Sequence, residues 1–160
     1  MLPEQNIVRM LFGTLYGQSV TVKARVATEM IGPVGPFVAT YGNGRPRPLG
    51  VVLFDLPMAA ISSSALTRIP PMTVADAIKN NALNEMMEEN FSEVMNLCSR
   101  LLGRSDGPAV RFEHSYSSPA VAPDAVRDII KEPLLRDDWE ITVPGYGSGG
   151  IAIMSRRIGE

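Results

Sequence analysis

The side chains with the clearest potential for chemistry lie together on residues 84–102. This segment contains no Gly or Pro and is rich in Glu, Met and Leu, which predicts a helix. With 3.6 residues per turn, four polar side chains then fall within about 60° of one another, namely Glu89, Glu93, Asn96 and Arg100. We call these four residues the polar stripe. An amide both donates and accepts hydrogen bonds, but a short motif of this kind also occurs by accident on ordinary solvated helix faces.

The opposite side of the same helix is apolar and must be buried. It is formed by Met87, Phe91, Val94, Cys98, Leu101 and Leu102. Cys98 is the one cysteine of the chain, so an internal disulfide is excluded, and its position indicates a small core residue rather than a reactive thiol. Gly103 is the expected C-cap. We therefore expect this helix to attach to a core and to present the polar stripe to solvent.

Other catalytic constellations are missing from the sequence. His114 is the single histidine, which excludes a multi-histidine metal centre, and its place in an alternating strand indicates a structural role rather than that of a triad base. The glycines of 145–150 are followed by no helix and by no Lys-Ser/Thr pair, so they predict a hairpin turn rather than a phosphate-binding loop. The residues thus indicate no cofactor or metal bound by this chain.

The net charge and the lengths of the apolar stretches limit which partners and which cellular location are expected. A net charge of −2 over 160 residues provides no basic field for nucleic acid and no polybasic patch for a lipid surface. The longest apolar stretch, 49–61, is interrupted by Asp55 and Pro57 and is too short to span a membrane. The start of the chain lacks the basic region and apolar core of a secretory signal, so we expect a cytoplasmic protein.

Helices and strands follow one another in a recognisable order. The first helix has an apolar period at Ile7, Met10, Leu11, Thr14 and Leu15. Thr73 and Asp124 are the expected N-caps of two later helices. The expected helices cover 3–17, 58–68, 74 onward with a break at 80–81, 84–102 and 124–132, and the expected strands cover 20–28, 37–41, 49–56, 109–116, 139–143 and 151–157.

The same order of elements occurs twice, which predicts an architectural repeat within one domain of residues 1–160. The first half would cover about 1–56, a helical connector 57–81, and the second half about 82–160. The fold class is α/β, in the α+β sense: a pseudo-two-fold repeat of a helix plus three mostly antiparallel strands, with the long helices packed on the sheet.

The central helix resembles the CheC/CheX/FliY family of chemotaxis response-regulator phosphatases. The family motif is Asp or Ser, three residues, Glu, two residues, Asn, then twenty-two residues and Pro. Glu93 and Asn96 match the Glu and Asn, residues 97–118 form the spacer, and Pro119 falls on the Pro position. Glu89 stands where the family has Asp or Ser, and residues 6–15 contain no Glu-x-x-Asn. One motif per chain is more like CheX than like the two-site members.

The resemblance implies hydrolysis of the aspartyl phosphate on a CheY-like response-regulator receiver domain. The Asn96 amide would orient the attacking water, and Glu93 would pair with the active-site lysine of the receiver. Glu89 and Arg100 would extend the contact with this partner, and Pro119 would shape a loop. The Mg²⁺ of the reaction would be held by the receiver, with no cofactor bound by this chain.

Two further interpretations stay open at this point. The chain could be a non-catalytic receiver-binding or scaffold module of the chemotaxis or flagellar-switch kind on the same fold, because fold does not fix function. It could also be an unrelated α/β domain whose polar stripe is only a solvated face. A homodimer is expected from the resemblance to CheX, and also because apolar strands at 37–41 or 49–56 would lie near a sheet edge.

Overall fold

The computed structural model describes residues 2–27, 30, 34–102 and 109–156 of the chain. Five α-helices and six strands are found in these residues. The helices are α1 (Gln5–Tyr16), α2 (Leu56–Leu66), α3 (Pro71–Asn80), α4 (Glu85–Leu97) and α5 (Asp124–Lys131). The strands are β1 (Thr21–Arg25), β2 (Phe37–Gly42), β3 (Gly50–Phe54), β4 (Arg111–Tyr116), β5 (Leu135–Val143) and β6 (Gly147–Ser155). Short 3₁₀ turns cover Cys98–Leu101 and Pro119–Val121.

The six strands form a single antiparallel sheet in the order β1-β5-β6-β3-β2-β4. The order has an internal symmetry in which β1 corresponds to β4, β5 to β2 and β6 to β3. If each strand is replaced by its counterpart, the same order is obtained, read from the opposite end of the sheet. Each half supplies a pair, β2–β3 or β5–β6, and an outer strand that bonds to the pair of the other half. The predicted fold class and its pseudo-two-fold are confirmed, whereas the exact bounds of the two halves stay a prediction.

The sheet has β1 and β4 at its edges and β2 and β3 in its interior. Neither 37–41 nor 49–56 is itself an edge strand, because β2 and β3 are hydrogen-bonded to a strand on both sides, although β2 lies next to the edge strand β4. Every residue of β3 is buried, as its continuous apolar run predicts. The part of the homodimer argument that depended on an exposed apolar edge therefore has no support.

The sheet is covered on both faces. One face packs against α1, α2 and α4, with α3 lying on α2, and together they enclose the larger core. On the other face α5 packs Val126 and Ile129 against a smaller cluster from β2, β3 and β6. Helix α2 lies in the middle of the first layer and is buried from Met58 to Ala65, which explains why its sequence is apolar without a preferred side. None of the helices in the described ranges has the length and apolar character that crossing a membrane requires.

Several local predictions fail for identifiable reasons. Helix α3 begins at Pro71, with Pro70 as its N-cap, so Thr73 is not the cap; proline suits the first helical position because it lacks the amide hydrogen that would be unpaired there. Helix α5 has Pro123 rather than Asp124 at its N-cap. The predicted C-cap Gly103 and the end of the last predicted strand at 157 lie outside the described residues.

The glycines predicted as a turn belong largely to strand β6, which begins at Gly147. Gly149 allows helix α2 to approach the sheet: a Cβ there would lie 2.5 Å from the Cα and 2.7 Å from the Cβ of Met58. The start of α2 is also bonded to this strand, because the Asp55 carboxylate accepts from the Gly150 amide at 2.9 Å and from the Met58 amide at 2.8 Å. The run of glycine thus serves a close helix–sheet contact.

Candidate functional site on helix α4

Helix α4 begins with a side-chain cap. The Asn84 side-chain oxygen accepts a hydrogen bond from the Met87 amide at 2.8 Å, which satisfies one of the unpaired amides of the first turn. Glu85 and Glu88 lie in this turn, where a negative charge interacts favourably with the helix dipole. The start of the helix is therefore fixed by its own local sequence.

The middle of α4 is held on the sheet by Phe91. Its ring makes edge-to-face contacts with Phe37 at 5.5 Å and with Phe54 at 5.1 Å between centroids. These partners lie on β2 and β3, the two interior strands of the first half. Aromatic pairs in this geometry contribute about 0.5–1.5 kcal/mol each beyond their burial. Phe91 consequently fixes both the distance and the rotation of α4 over the sheet.

A polar contact ties α4 to its neighbour α2. The Asn90 side chain donates to the Ser63 carbonyl at 3.0 Å and to the Thr67 hydroxyl at 2.7 Å. Helices α2 and α4 pack side by side along this line. Among the described residues, two of the three side-chain hydrogen bonds that tie α4 to other elements therefore come from Asn90.

The last turn of α4 is tighter than an α-helix. The helix ends at Leu97 and continues as the 3₁₀ turn Cys98–Leu101. At this junction the Tyr41 hydroxyl donates to the Met95 carbonyl at 2.6 Å in the buried core. Cys98 is buried, and burial raises the pKa of its thiol to about 12, so it is a core residue as predicted and not a thiolate at neutral pH.

The polar stripe lies open to solvent. Glu89, Glu93, Asn96 and Arg100 are all exposed. Within the described part of the chain, none of the four side chains makes a hydrogen bond or an ion pair. Glu93 and Asn96 are one turn apart on regular α-helix, so their side chains are neighbours. An amide and a carboxylate are thus presented side by side on a regular helix, and no hydrogen bond or ion pair to another described residue has to break before a partner binds.

Arg100 differs from its predicted direction. The prediction assumed 100° per residue throughout, but residues 98–100 follow 3₁₀ geometry with 120° per residue. This rotates Arg100 about 60° further around the axis than a continuous α-helix would. The structure therefore groups Glu89, Glu93 and Asn96 on one face and places Arg100 beside that face.

Pro119 follows Asn96 by 23 residues and lies outside helix α4. It opens the 3₁₀ turn Pro119–Val121, which leads from strand β4 to Ala122 in the smaller core on the far face of the sheet. Its own surface is half-buried. Pro119 follows Ser117 by two residues, and Ser117 lines a groove beside α4.

This groove, of about 400 Å³, runs along the flank of α4 that adjoins Asn96. Helix α4 contributes Glu88, Phe91, Ser92 and Met95 to it, and residues 115–117 at the end of β4 form part of the opposite wall. Ser92 precedes Asn96 by one helical turn. The exposed face is thus bordered by a mostly apolar recess between the helix and an edge strand.

Helix α1 is the counterpart of α4 in the first half, and it carries no equivalent of the stripe. The buried pair Val8 and Phe12 corresponds to the buried pair Met87 and Phe91, four residues apart in each helix. In that alignment the positions of Glu89, Glu93 and Asn96 are occupied by Met10, Thr14 and Gly17. The motif therefore occurs on one of the two related helices, in agreement with the single motif in the sequence.

Sequence reasoning missed the residues that hold the stripe in place. Tyr41 and Asn90 were given no role, because nothing local in the sequence marks a strand tyrosine or a helix asparagine as a partner of a distant backbone group. Met95 was also missed as a buried residue, since it lies at the edge of the apolar side. Among the described residues, no group of three or more His, Cys, Asp or Glu side chains is arranged to hold a metal ion.

No family model matches the chain, and no curated protein matches it either. Solved structures do share its fold. FliM from H. pylori, in its complex with SpeE, superposes with a TM-score of 0.61 at 10% identity, over 95% of this chain and 81% of that one. The FliM middle domain from Vibrio alginolyticus gives 0.55 at 10% identity, over 94% and 88%. FliY from Thermotoga maritima gives 0.54 at 12% identity, over 94% and 83%.

These neighbours belong to the fold family that the central helix resembles, so the chain has the CheC/CheX/FliY fold. At 10–12% identity the likeness extends to the fold alone. The third interpretation, an unrelated α/β domain, is therefore overturned as far as the fold is concerned.

Proposed function

We propose that this chain is a phosphatase for the aspartyl phosphate of a CheY-like receiver domain, with Asn96 orienting the attacking water. The observation that carries the proposal is the exposed pair Glu93 and Asn96, which make no hydrogen bond or ion pair with other described residues and lie on a helix fixed at its cap, middle and end. A group that must enter the active site of another protein has to be both accessible and held in place, because positioning supplies much of the rate in phosphoryl transfer.

The chemistry needs little from the phosphatase beyond this positioning. The oxygen of the water attacks phosphorus in line, the bond between phosphorus and the aspartyl oxygen breaks, and the receiver aspartate leaves as a carboxylate. The phosphate retains the oxygen and both protons of the water as dihydrogen phosphate. The Asn96 amide can accept from that water and donate to a phosphate oxygen while remaining uncharged. The Mg²⁺ that neutralises charge on the phosphoryl group would be held by the receiver.

Glu93 would set the register of the complex. Its carboxylate is exposed one turn before Asn96, within reach of a lysine beside the phosphoryl group of the receiver. Such a charge pair at an interface orients the partner and excludes other registers. Glu89, one turn further, and Arg100, beside the face, would extend the same contact surface.

A second candidate is a non-catalytic receiver-binding or scaffold module. It is favoured by Glu89, which replaces the Asp or Ser of the motif, and by the FliM structures among the fold neighbours, one of them a complex with another protein. Both candidates use the same face of α4. They differ in whether Asn96 accelerates phosphate release.

Dephosphorylation of an acyl-phosphorylated receiver domain with Mg²⁺ tests the proposal. We expect wild type to accelerate phosphate release and Asn96→Ala to lose about 100-fold or more, the typical effect of removing one well-placed group. Asn80→Ala, an exposed asparagine at the end of α3, is the matched control and should retain the wild-type rate. Binding of the receiver is measured in parallel, so that loss of catalysis is separated from loss of affinity.

Two results would reject the proposal. An Asn96→Ala variant with the wild-type rate would show that the stripe is not the catalytic face. Binding of several receivers without any acceleration by wild type would favour the scaffold module.

Location and assembly follow from the same proposal. Action on a receiver domain would place the chain in the cytoplasm. A homodimer is supported by the resemblance to CheX alone, since the apolar strands are interior. A monomeric mass in light scattering at micromolar concentration would reject it.

A further inference from the structure

Tyr41 lies under the last turn of α4. Among the described residues of the sheet, its side chain is the one that donates a hydrogen bond to this helix. The side chain is fully buried on strand β2, and the hydroxyl donates to the Met95 carbonyl at 2.6 Å. We infer that Tyr41 is a positioning residue for Asn96, an inference that deepens the proposed function and rests on it for the role of Asn96.

The carbonyl that Tyr41 reaches has lost its usual helical donor. Regular bonding of α4 ends with the bond from the Cys98 amide to the Val94 carbonyl. The next α-helical bond would run from the Ser99 amide to the Met95 carbonyl, but the chain has by then changed to 3₁₀ bonding, in which each amide reaches back three residues, as Leu102 does to Ser99. Such a change passes over one carbonyl, and the Tyr41 hydroxyl satisfies it.

This hydrogen bond is costly to lose and independent of pH in the ordinary range. Burial raises the pKa of the Tyr41 phenol well above its usual value of 10.0, with the nearby Cys98 adding to the rise, so the phenol remains a neutral donor. The carbonyl has no access to replacement water at this buried position, and an unsatisfied buried acceptor is unfavourable. The junction between α-helix and 3₁₀ turn is therefore fixed to one residue.

The consequence for Asn96 follows from peptide geometry. The Met95 carbonyl and the Asn96 nitrogen belong to one planar peptide unit, so an oxygen held by Tyr41 also holds the bond that leads into the Asn96 Cα. Asn96 is the residue before the α-helix ends at Leu97. Without the hydroxyl, the carbonyl would be free to recruit the Ser99 amide, and the helix would extend past its present end and rotate the residues that follow.

Tyr41→Phe, which removes only the hydroxyl, tests the inference in the full-length chain. The matched control is Tyr146→Phe, since the Tyr146 hydroxyl also donates to a backbone carbonyl, that of Ile69 at 2.7 Å, away from α4. In ¹H–¹⁵N spectra we expect Tyr41→Phe to shift the amides of residues 96–99 and the side-chain amide of Asn96, and Tyr146→Phe to leave them in place. Unchanged signals in this segment would overturn the inference.

The kinetic readout separates positioning from general destabilisation. With a phosphorylated receiver as substrate, Tyr41→Phe should lower kcat by about 10-fold or more, because misplacement by about 1 Å can cost about 100-fold. The KM should change less than kcat, since Glu89 and Glu93 keep their places and only Arg100 among the contact residues follows the end of the helix, and Tyr146→Phe should retain both constants. Equal kcat for the two variants would overturn the inference. A wild type without phosphatase activity would reject the proposed function, and the spectra would still decide whether Tyr41 sets the conformation at Asn96.

Discussion

Gly149 on strand β6 is the point where helix α2 comes nearest to the sheet. A Cβ at this position would overlap the backbone of Met58, 2.5 Å from its Cα and also against its nitrogen. The overlapping atoms are backbone atoms, so no side-chain rotation can relieve the contact. Gly149→Ala must therefore move the start of α2, which is packed against α3, α4 and β6.

The loss of folding stability caused by Gly149→Ala can be estimated from the effect of overpacking in protein cores. Extra methyl groups in a packed core usually destabilise by about 1–3 kcal/mol, and the fixed backbone partner puts this position near about 3 kcal/mol or above. For a chain of this length, 1 kcal/mol corresponds to about 2–4 °C in Tm. We thus expect Gly149→Ala to lower Tm by about 6–12 °C, measured by thermal circular dichroism and checked by urea unfolding.

Gly13→Ala provides the same chemical change with the opposite expected sign. Gly13 lies inside helix α1, and a Cβ there would meet only the Gln18 carbonyl at an ordinary 3.4 Å. Alanine is favoured over glycine within a helix by about 1 kcal/mol, so Tm should rise by about 2–4 °C. A Gly149→Ala variant with a Tm within about 2 °C of wild type would refute the argument from the α2–β6 contact.

Two further predictions concern titrating groups. Burial raises the pKa of the Asp55 carboxyl from its ordinary 3.8, so the folded state binds the proton more tightly than the unfolded state. The stability gained from this protonation is present below pH 3.8 and is lost as pH rises through the folded-state pKa. Urea melts at a series of pH values should show Asp55→Asn gaining stability relative to wild type as pH rises from 3.8, and a constant difference would contradict this. The buried Cys98 thiol, with its pKa raised to about 12, should react with Ellman's reagent near pH 8 only as fast as the chain unfolds. Reaction in native buffer as fast as in guanidinium would show that the thiol is accessible.

Elements with a strong local signal were predictable. Helix α4 combines good helix formers with one apolar side, and the structure retains both features. Strand β3 is wholly apolar and lies in the middle of the sheet. The solvent exposure of Glu89, Glu93 and Asn96 could also be predicted, because it depends only on which side of α4 packs against the core.

Features set by distant contacts were not predictable. Helix α1 has apolar residues on several sides, and the sheet selects Val8 and Phe12 for burial while Ile7 and Met10 are 46% and 59% exposed. The end of α4 depends on Tyr41, 54 residues away from Met95 in the sequence. The local sequence therefore indicates which residues of α4 face solvent, whereas the tertiary contacts determine where that face ends.

The exchange of outer strands makes the two halves of the chain depend on each other during folding. Strand β1 completes a sheet segment whose other members, β5 and β6, are the last two strands in the order of the described residues, with pairs such as Val22 and Ile141. Pairings between such distant segments carry a large loop-closure entropy and slow the search for the native state. The β2–β3 pair of the first half is thus synthesised with both of its outer edges lacking a partner strand until β4 and β6 of the second half follow. Such exposed strand edges make a nascent chain prone to aggregation until the second half has folded onto the first.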